Sequence, residues 1–340
     1  MTITRALEGL GVESGLREDW KGILRESAMD PVTHALSGLA VAHAGFRQRI
    51  GRPAVLAVTA GALAPDLDSV MALWDQFAAI KYHRGLTHSL FGGILLALLV
   101  AWPIYEWGGY KRYRELVALV YLGILTHIGL DLITSFGTMA VYPLSSTRFA
   151  LDLAFIVDPL LTAAFAVPLV VAWRRPHLAT RAVRIGLAAA VLYLSLAAGA
   201  KAVAKTRFTT ELGQRVIATD RIAVVPRLFS PFRWMAVAEA PGRLYQATVT
   251  PWPGDPIDLR FYNQAARNSY VARSDAVESV RLFLGFARFP WTRYVQRGDD
   301  HIVEYRDIRF GAERAANDMV LRVVMDASGI VKRVDFNHRF

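Results

Sequence analysis

Seven residues able to ligate a metal fall in four short polar motifs, each set into apolar sequence: His34 in Asp30-Pro31-Val32-Thr33-His34, Asp66 and Asp68 in Ala64-Pro65-Asp66-Leu67-Asp68, His83 and His88 in His83-Arg84-Gly85-Leu86-Thr87-His88-Ser89, and His127 and Asp131 in His127-Ile128-Gly129-Leu130-Asp131. Imidazole nitrogens and carboxylate oxygens are the donor types of zinc and other divalent cations. The chain has no cysteine, so disulfides and thiolate ligands are excluded. His127 and Asp131 are four residues apart and share a face if the segment is helical. A bare aspartate in hydrocarbon costs on the order of 3 kcal/mol or more, and a cation would offset it. Each motif alone has a plainer reading. His127 and Asp131 could hydrogen-bond between helices, Asp66 and Asp68 could form a turn and a helix cap, His34 could be a satisfied buried histidine, and His83 and His88 could be interfacial. One shared metal site accounts for all four at once. Seven donors exceed the three or four of a single zinc, so the expectation is a divalent metal, zinc by donor type, as one to three ions.

Clustered cations with oxygen and imidazole donors suit hydrolysis: they make water nucleophilic near neutral pH and steady the oxygens of a phosphoryl or acyl group under attack. Asp66 or Asp68 is the expected general base. Arg84, between the two histidines of its motif, either clamps a substrate phosphate bidentately or snorkels to the interface. Thr87 and Ser89 are expected to cap the helix that starts there. Asp152 and Asp158 are candidates for a further ligand or for a group supporting one.

The elements that position these residues read as membrane helices. Apolar residues make up 54% of the chain with mean hydropathy +0.29, and they concentrate before residue 205. Segments 87–106, 115–134, 151–173 and 185–204 are long enough to span a bilayer. Segment 32–46 is short and rich in small residues that allow close helix packing. Segment 54–64 is shorter still, stopped by Pro65, and 69–80 is expected to be a broken or re-entrant helix. Lys and Arg set the orientation. Arg47, Arg49, Arg52, Lys111, Arg112, Arg114, Arg174, Arg175, Arg181 and Arg184 lie in alternate loops, whereas the loops between them hold only Lys81, Arg84 and Arg148. The ten-charge side should be cytoplasmic, which gathers every candidate ligand at the opposite face. Because these flanking charges account for much of the net +10, no nucleic-acid partner is expected.

Residues 1–28 read as a polar extension, with Met29 an equally good start. From 205 the pattern turns to β: 244–250, 302–310, 320–326 and 330–336 alternate or are β-branched, with a hairpin turn at 326–329 and one helix near 275–287 capped by Ser274. The expected organisation is mainly α: the 1–28 extension, a transmembrane helical bundle over 29–204 carrying the metal site, and an extracytoplasmic β-rich α+β domain over 205–340.

The four motifs, in this order, resemble those of the YdjM/YbcI-like membrane-bound metal-dependent hydrolases over roughly 29–160, most specifically in the His83–Ser89 block. The resemblance implies a multi-pass protein of a bacterial inner membrane. A distant similarity of that family to zinc-dependent phospholipase C and P1 nuclease implies a phosphodiester or phospholipid substrate. The sequence-based expectation is an integral membrane hydrolase with the bilayer and a lipid or lipid-linked phosphoester as partners. The rivals are a metal or proton transporter, which needs ligands at both faces, and a protein whose metal only holds the bundle together for partner binding.

Overall fold

The computed structural model describes residues 31–338 apart from 74, 76, 229 and 312–318. The polar extension and Met29 lie outside the described residues. Helix α1, Pro31–Val41, runs on through a π turn, Ala42–Phe46, into Arg47–Ile50. Helix α2, Arg52–Leu63, ends just before Pro65, as expected. A proline cannot donate the i→i−4 bond, and the chain tightens into a 3₁₀ helix, Ala64–Leu73, that carries Asp66 and Asp68. The short helix and the 3₁₀ stretch after it join into a continuous apolar segment, Arg52–Met71, and a separate turn, Ala78–Lys81, follows, so the helix over 69–80 is broken as expected.

Helices α3, Leu90–Trp107, and α4, Tyr113–Leu132, agree with the expected spans to within a few residues. Helix α5 covers only Pro159–Arg174, not 151–173. Asp158 accepts the amides of Leu160 and Leu161 as N-cap, and Pro159 takes the first turn, a strong start signal. Helix α6, Ala179–Gln214, runs ten residues past the expected end. At 36 residues it is about 54 Å long, well beyond the roughly 30 Å of a hydrocarbon core. Among the described residues, α3, α4, the Arg52–Met71 segment and the α6 region are each long and apolar enough to cross a membrane.

The ten basic residues of the alternate loops share one end of the bundle: Gln48 donates to Thr180, Arg184 donates to the carbonyl of Ala44, and Arg49 lies within electrostatic reach of Glu115. The interior is built on close backbone contact between α2 and α4. A β-carbon at Gly61 would lie 2.0 Å from the carbonyl oxygen of Val120, and one at Gly123 would lie 2.1 Å from that of Val58. Only glycine permits this approach, and it draws Asp66 and His127 to one level.

After α6 come two four-stranded antiparallel meanders. The first comprises β1 Arg221–Pro226, β2 Trp234–Ala240, β3 Arg243–Val249 and β4 Arg260–Asn263. It rests on the distal part of α6 through Phe208, Leu212, Trp234 and Ala236. The second comprises β5 Pro290–Arg297, β6 Asp300–Asp307, β7 Met319–Met325 and β8 Val331–His338. Two short helices precede it, α7 Ser269–Asp275 and α8 Glu278–Phe286, in place of the single helix expected. Asn268 caps α7, and Ser274 is buried inside it. The second sheet and α8 share a core with Phe77, Ile80 and Phe136, so the C-terminal region sits on the end of the bundle opposite the basic loops.

Candidate metal centre

All seven candidate ligands converge at that end. His34, His83, His88, His127 and Asp131 are each 5% exposed or less. Two groups have ligand atoms close enough to share a cation: His34 with His127 and Asp131, and Asp66 with His83 and His88, the atoms of each group lying within 4.8 Å of one another. The groups touch. His127 Nε2 is 3.4 Å from Asp66 Oδ1, and His88 Nε2 is 3.3 Å from Asp66 Oδ1 and 3.5 Å from Asp131 Oδ2.

Hydrogen bonds on the far side of the rings orient them. His127 Nδ1 lies 2.7 Å from the carbonyl of Ala62. A carbonyl can only accept, so Nδ1 carries the proton and Nε2 turns its lone pair into the cluster. His83 Nδ1 is 2.7 Å from Asp68 Oδ1, which likewise leaves its Nε2 as the ligating atom. Such partners fix the tautomer and raise the basicity of a ligating imidazole. The rings of His34 and His127 stack at 3.8 Å.

Asp68 therefore differs from the other six. Its Oδ1 meets His83 Nδ1, while Oδ2 accepts from Thr87 Oγ1 at 2.5 Å and lies 3.2 Å from His88 Nδ1. Both oxygens are engaged in holding ligands, and neither group of potential ligands includes it. Thr87 is thus a partner of Asp68 and not a helix cap. Ser89 does cap α3, accepting from the amide of Gly92.

Arg84 is not a snorkelling interfacial charge. It is 1% exposed, with a left-handed backbone (φ 59°). Its guanidinium sits 2.9 Å from Asp131 Oδ1 and donates to the Asp131 carbonyl at 3.2 Å and Thr134 Oγ1 at 2.8 Å. Those donors are directed at protein acceptors and not at an open interface. Asp152 and Asp158 are also committed elsewhere. Asp152 takes both arms of Arg288 at 2.8 and 3.1 Å and lies 3.6 Å from Lys201. Asp158 caps α5 and accepts from the Tyr193 hydroxyl at 2.6 Å.

The donor set fits a cation. His34 Nδ1, Asp66 Oδ2, His83 Nε2, His127 Nε2 and Asp131 Oδ2 are buried without a hydrogen-bond partner. Each such atom costs on the order of 1–3 kcal/mol when left unpaired. Burial lowers the pKa of His88, but hydrogen bonds to Asp66 and Asp68 outweigh it and raise the value to about 9. The carboxylates thus favour positive charge here, as a proton or as a metal ion.

Thr134, the Ala62 carbonyl and Phe136 escaped the sequence reading. Phe136 lies under Arg84 at 5.1 Å and packs on Phe286 at 4.9 Å, joining the cluster to the C-terminal region. A hydroxyl or phenyl beside a ligand motif carries no spacing signal that would mark it.

A protein of Bacillus subtilis (strain 168) described only as "Uncharacterized protein YfhP" is 28% identical over 138 residues, covering 38% of this chain and 42% of that one. The match thus spans less than half the length of that relative. No solved structure matches significantly. Residues 29–206, over half of the chain and inclusive of all four motifs, match the YdjM inner membrane protein family, and the chain belongs to that family.

Proposed function

We propose that the chain is an integral membrane metal-dependent hydrolase acting on a phosphoester or lipid-linked substrate. The observation that carries this reading is the pair of buried His/Asp groups with ligand atoms within 4.8 Å of one another, contributed from α1, α2's 3₁₀ extension, the His83–Ser89 turn and α4, in which five nitrogen and oxygen atoms have no hydrogen-bond partner. His34, His127 and Asp131 would hold one cation and Asp66, His83 and His88 a second, zinc being the first choice by donor type. When bound, such ions supply Lewis acidity, making water nucleophilic near neutral pH and neutralising charge on an attacked phosphoryl or acyl group. The protein's own part is orientation. Asp68 holds His83 and His88, the Ala62 carbonyl holds His127, and Arg84 balances Asp131. Asp66, the more exposed of the carboxylates at 17% for its side chain, is the residue best placed to accept a proton. The phosphoester class rests on the distant resemblance to zinc-dependent phospholipase C and P1 nuclease expected from the sequence, an analogy of fold.

A second reading has its own support. The near-complete burial of the cluster also suits a cation that only fastens the bundle beneath the C-terminal region. Both ligand groups lie at one end, which speaks against a transport path among the described residues. Metal analysis of detergent-purified protein, followed by a phosphoesterase and phospholipase panel, tests the proposal. Bound metal with turnover lost on chelation supports the enzyme; bound metal with no turnover on any phosphoester favours the fastening role.

A further inference from the structure

A narrow cleft adjoins the cluster between the N-terminal turns of α1 and α5. Its volume is about 20 Å³, room for roughly one water. His34, Arg84 and Asp131 line its polar floor, while Ile133, Phe155 and Leu161 supply apolar wall. Val32, Val157 and Leu160, each next in sequence to a lining residue, are exposed, and apolar residues exposed in a membrane bundle face lipid. The hydroxyls of Thr33 on α1 and Thr162 on α5 meet at 2.6 Å, a polar contact across the seam.

The side of the cluster that faces the C-terminal region is covered. Phe136 lies over His83 and Arg84 and is packed between them and Phe286 and Phe310 of the C-terminal region. Arg309 adds a bond to the carbonyl of Ser135. A molecule arriving from that side therefore meets packed protein, whereas an amphiphile in the bilayer meets a seam with apolar walls and a charged floor.

We propose that the α1–α5 seam is a lateral portal through which a membrane phospholipid brings its phosphate head group to the cluster, with the Thr33–Thr162 contact as the latch. Thr162 Oγ1 donates to the Asp158 carbonyl at 2.8 Å, so Thr33 is the donor of the pair, and a phosphate oxygen can take the place of Thr162 as its acceptor. This rests on the hydrolase reading for what happens next, but not for entry itself.

The chain has no native cysteine, which makes the seam directly testable. Touching Oγ1 atoms put the two β-carbons close to disulfide range, so the Thr33→Cys/Thr162→Cys double variant should lock on oxidation and open on reduction. Full-length protein in bilayers containing phosphatidylglycerol with a photoactivatable head group would be irradiated and its cross-linked peptides mapped. Reduced protein should be labelled in 31–37 and 155–162, and oxidation should lower that labelling at least tenfold with metal content unchanged. Leu161→Trp, which fills the cleft without a cross-link, should lower it as well. Labelling that is absent from both segments in the reduced protein, or that persists in both the locked and the filled variant, overturns the portal. Hydrolysis read on the same lipid separates the two ideas: seam labelling without turnover keeps the portal and removes the hydrolase.

Discussion

Asp131 carries much of the charge balance of the cluster. Its carboxylate is 2% exposed and has Arg84 on one oxygen, with His88 and His127 facing the other. Removing one partner of a buried pair typically costs about 3–5 kcal/mol, because the remaining charge is stranded. Arg84→Ala should therefore destabilise the protein strongly in chelator and much less with zinc, since a cation would neutralise Asp131 by itself. Arg84→Lys keeps the charge but loses the planar fork that reaches Asp131 and Thr134 together, and should fall between. Thermal midpoints in detergent, with chelator and with zinc, check this; equal losses in both conditions would remove Arg84 as the counterion. The two aspartates of the second motif should also separate. Asp66→Asn should abolish metal retention. Asp68→Asn should weaken it about 10–100-fold, the usual effect of losing a group that orients a ligand. Metal titration of the two variants decides, and equal losses would make Asp68 a direct ligand.

Among the elements, the crossing of α2 and α4 sets the height of the ligands. Gly123 stands one turn before His127, and a β-carbon there would sit 2.1 Å from the Val58 carbonyl. Gly123→Ala should force the helices apart, cost about 1–3 kcal/mol as overpacking does, and break the contact of His127 with Ala62, so metal retention falls too. Gly129→Ala is the control on the same helix. A β-carbon there meets nothing within 4 Å, and alanine is the better helix former by up to about 1 kcal/mol. Thermal stability and metal content of the pair test the crossing, which is wrong if the two behave alike. These helices were legible in the sequence because length and apolarity alone define them, and the ligand motifs were legible because charge is rare inside such segments. The start of α5 was misplaced because 151–157 is as apolar as a helix, although the Asp158–Pro159 signal was present. Strands β1 and β2 were missed for another reason. Four successive residues of β1 and five of β2 are buried, so the alternation that betrays a half-exposed strand is absent. The strands found by pattern, β3, β6, β7 and β8, correspond to the segments read from alternation and β-branching. The turn after β7 was also readable: Gly329, with φ +82°, donates to the Asp326 carbonyl at 2.9 Å.

At the scale of the whole molecule, the metal cluster and the C-terminal region share one end, and the ten basic residues of the alternate loops lie at the other. The shared end is held by apolar contact of Phe77, Ile80 and Phe136 with α8 and the second sheet, and by ion pairing of Asp152 with Arg288 and Lys201. Helix α6 contributes too, running without interruption from the basic end into the first sheet. The membrane side of the cluster and of the C-terminal region is therefore one question with one answer. Short loops rich in Lys and Arg stay in the cytoplasm because translocating them is unfavourable, which predicts the cluster and the C-terminal region outside. A reporter active only outside the cytoplasm, fused after Phe340, should give signal, and a cytoplasm-specific reporter at the same point should be silent. A second fusion in the 107–114 loop should show the reverse pattern. If both patterns invert with stable expression, the cluster faces the cytoplasm, and the phospholipids that reach the seam are those of the inner leaflet. If only the C-terminal fusion inverts, α6 does not cross, and the packing of Phe136 against Phe286 that joins the two regions cannot exist in the cell.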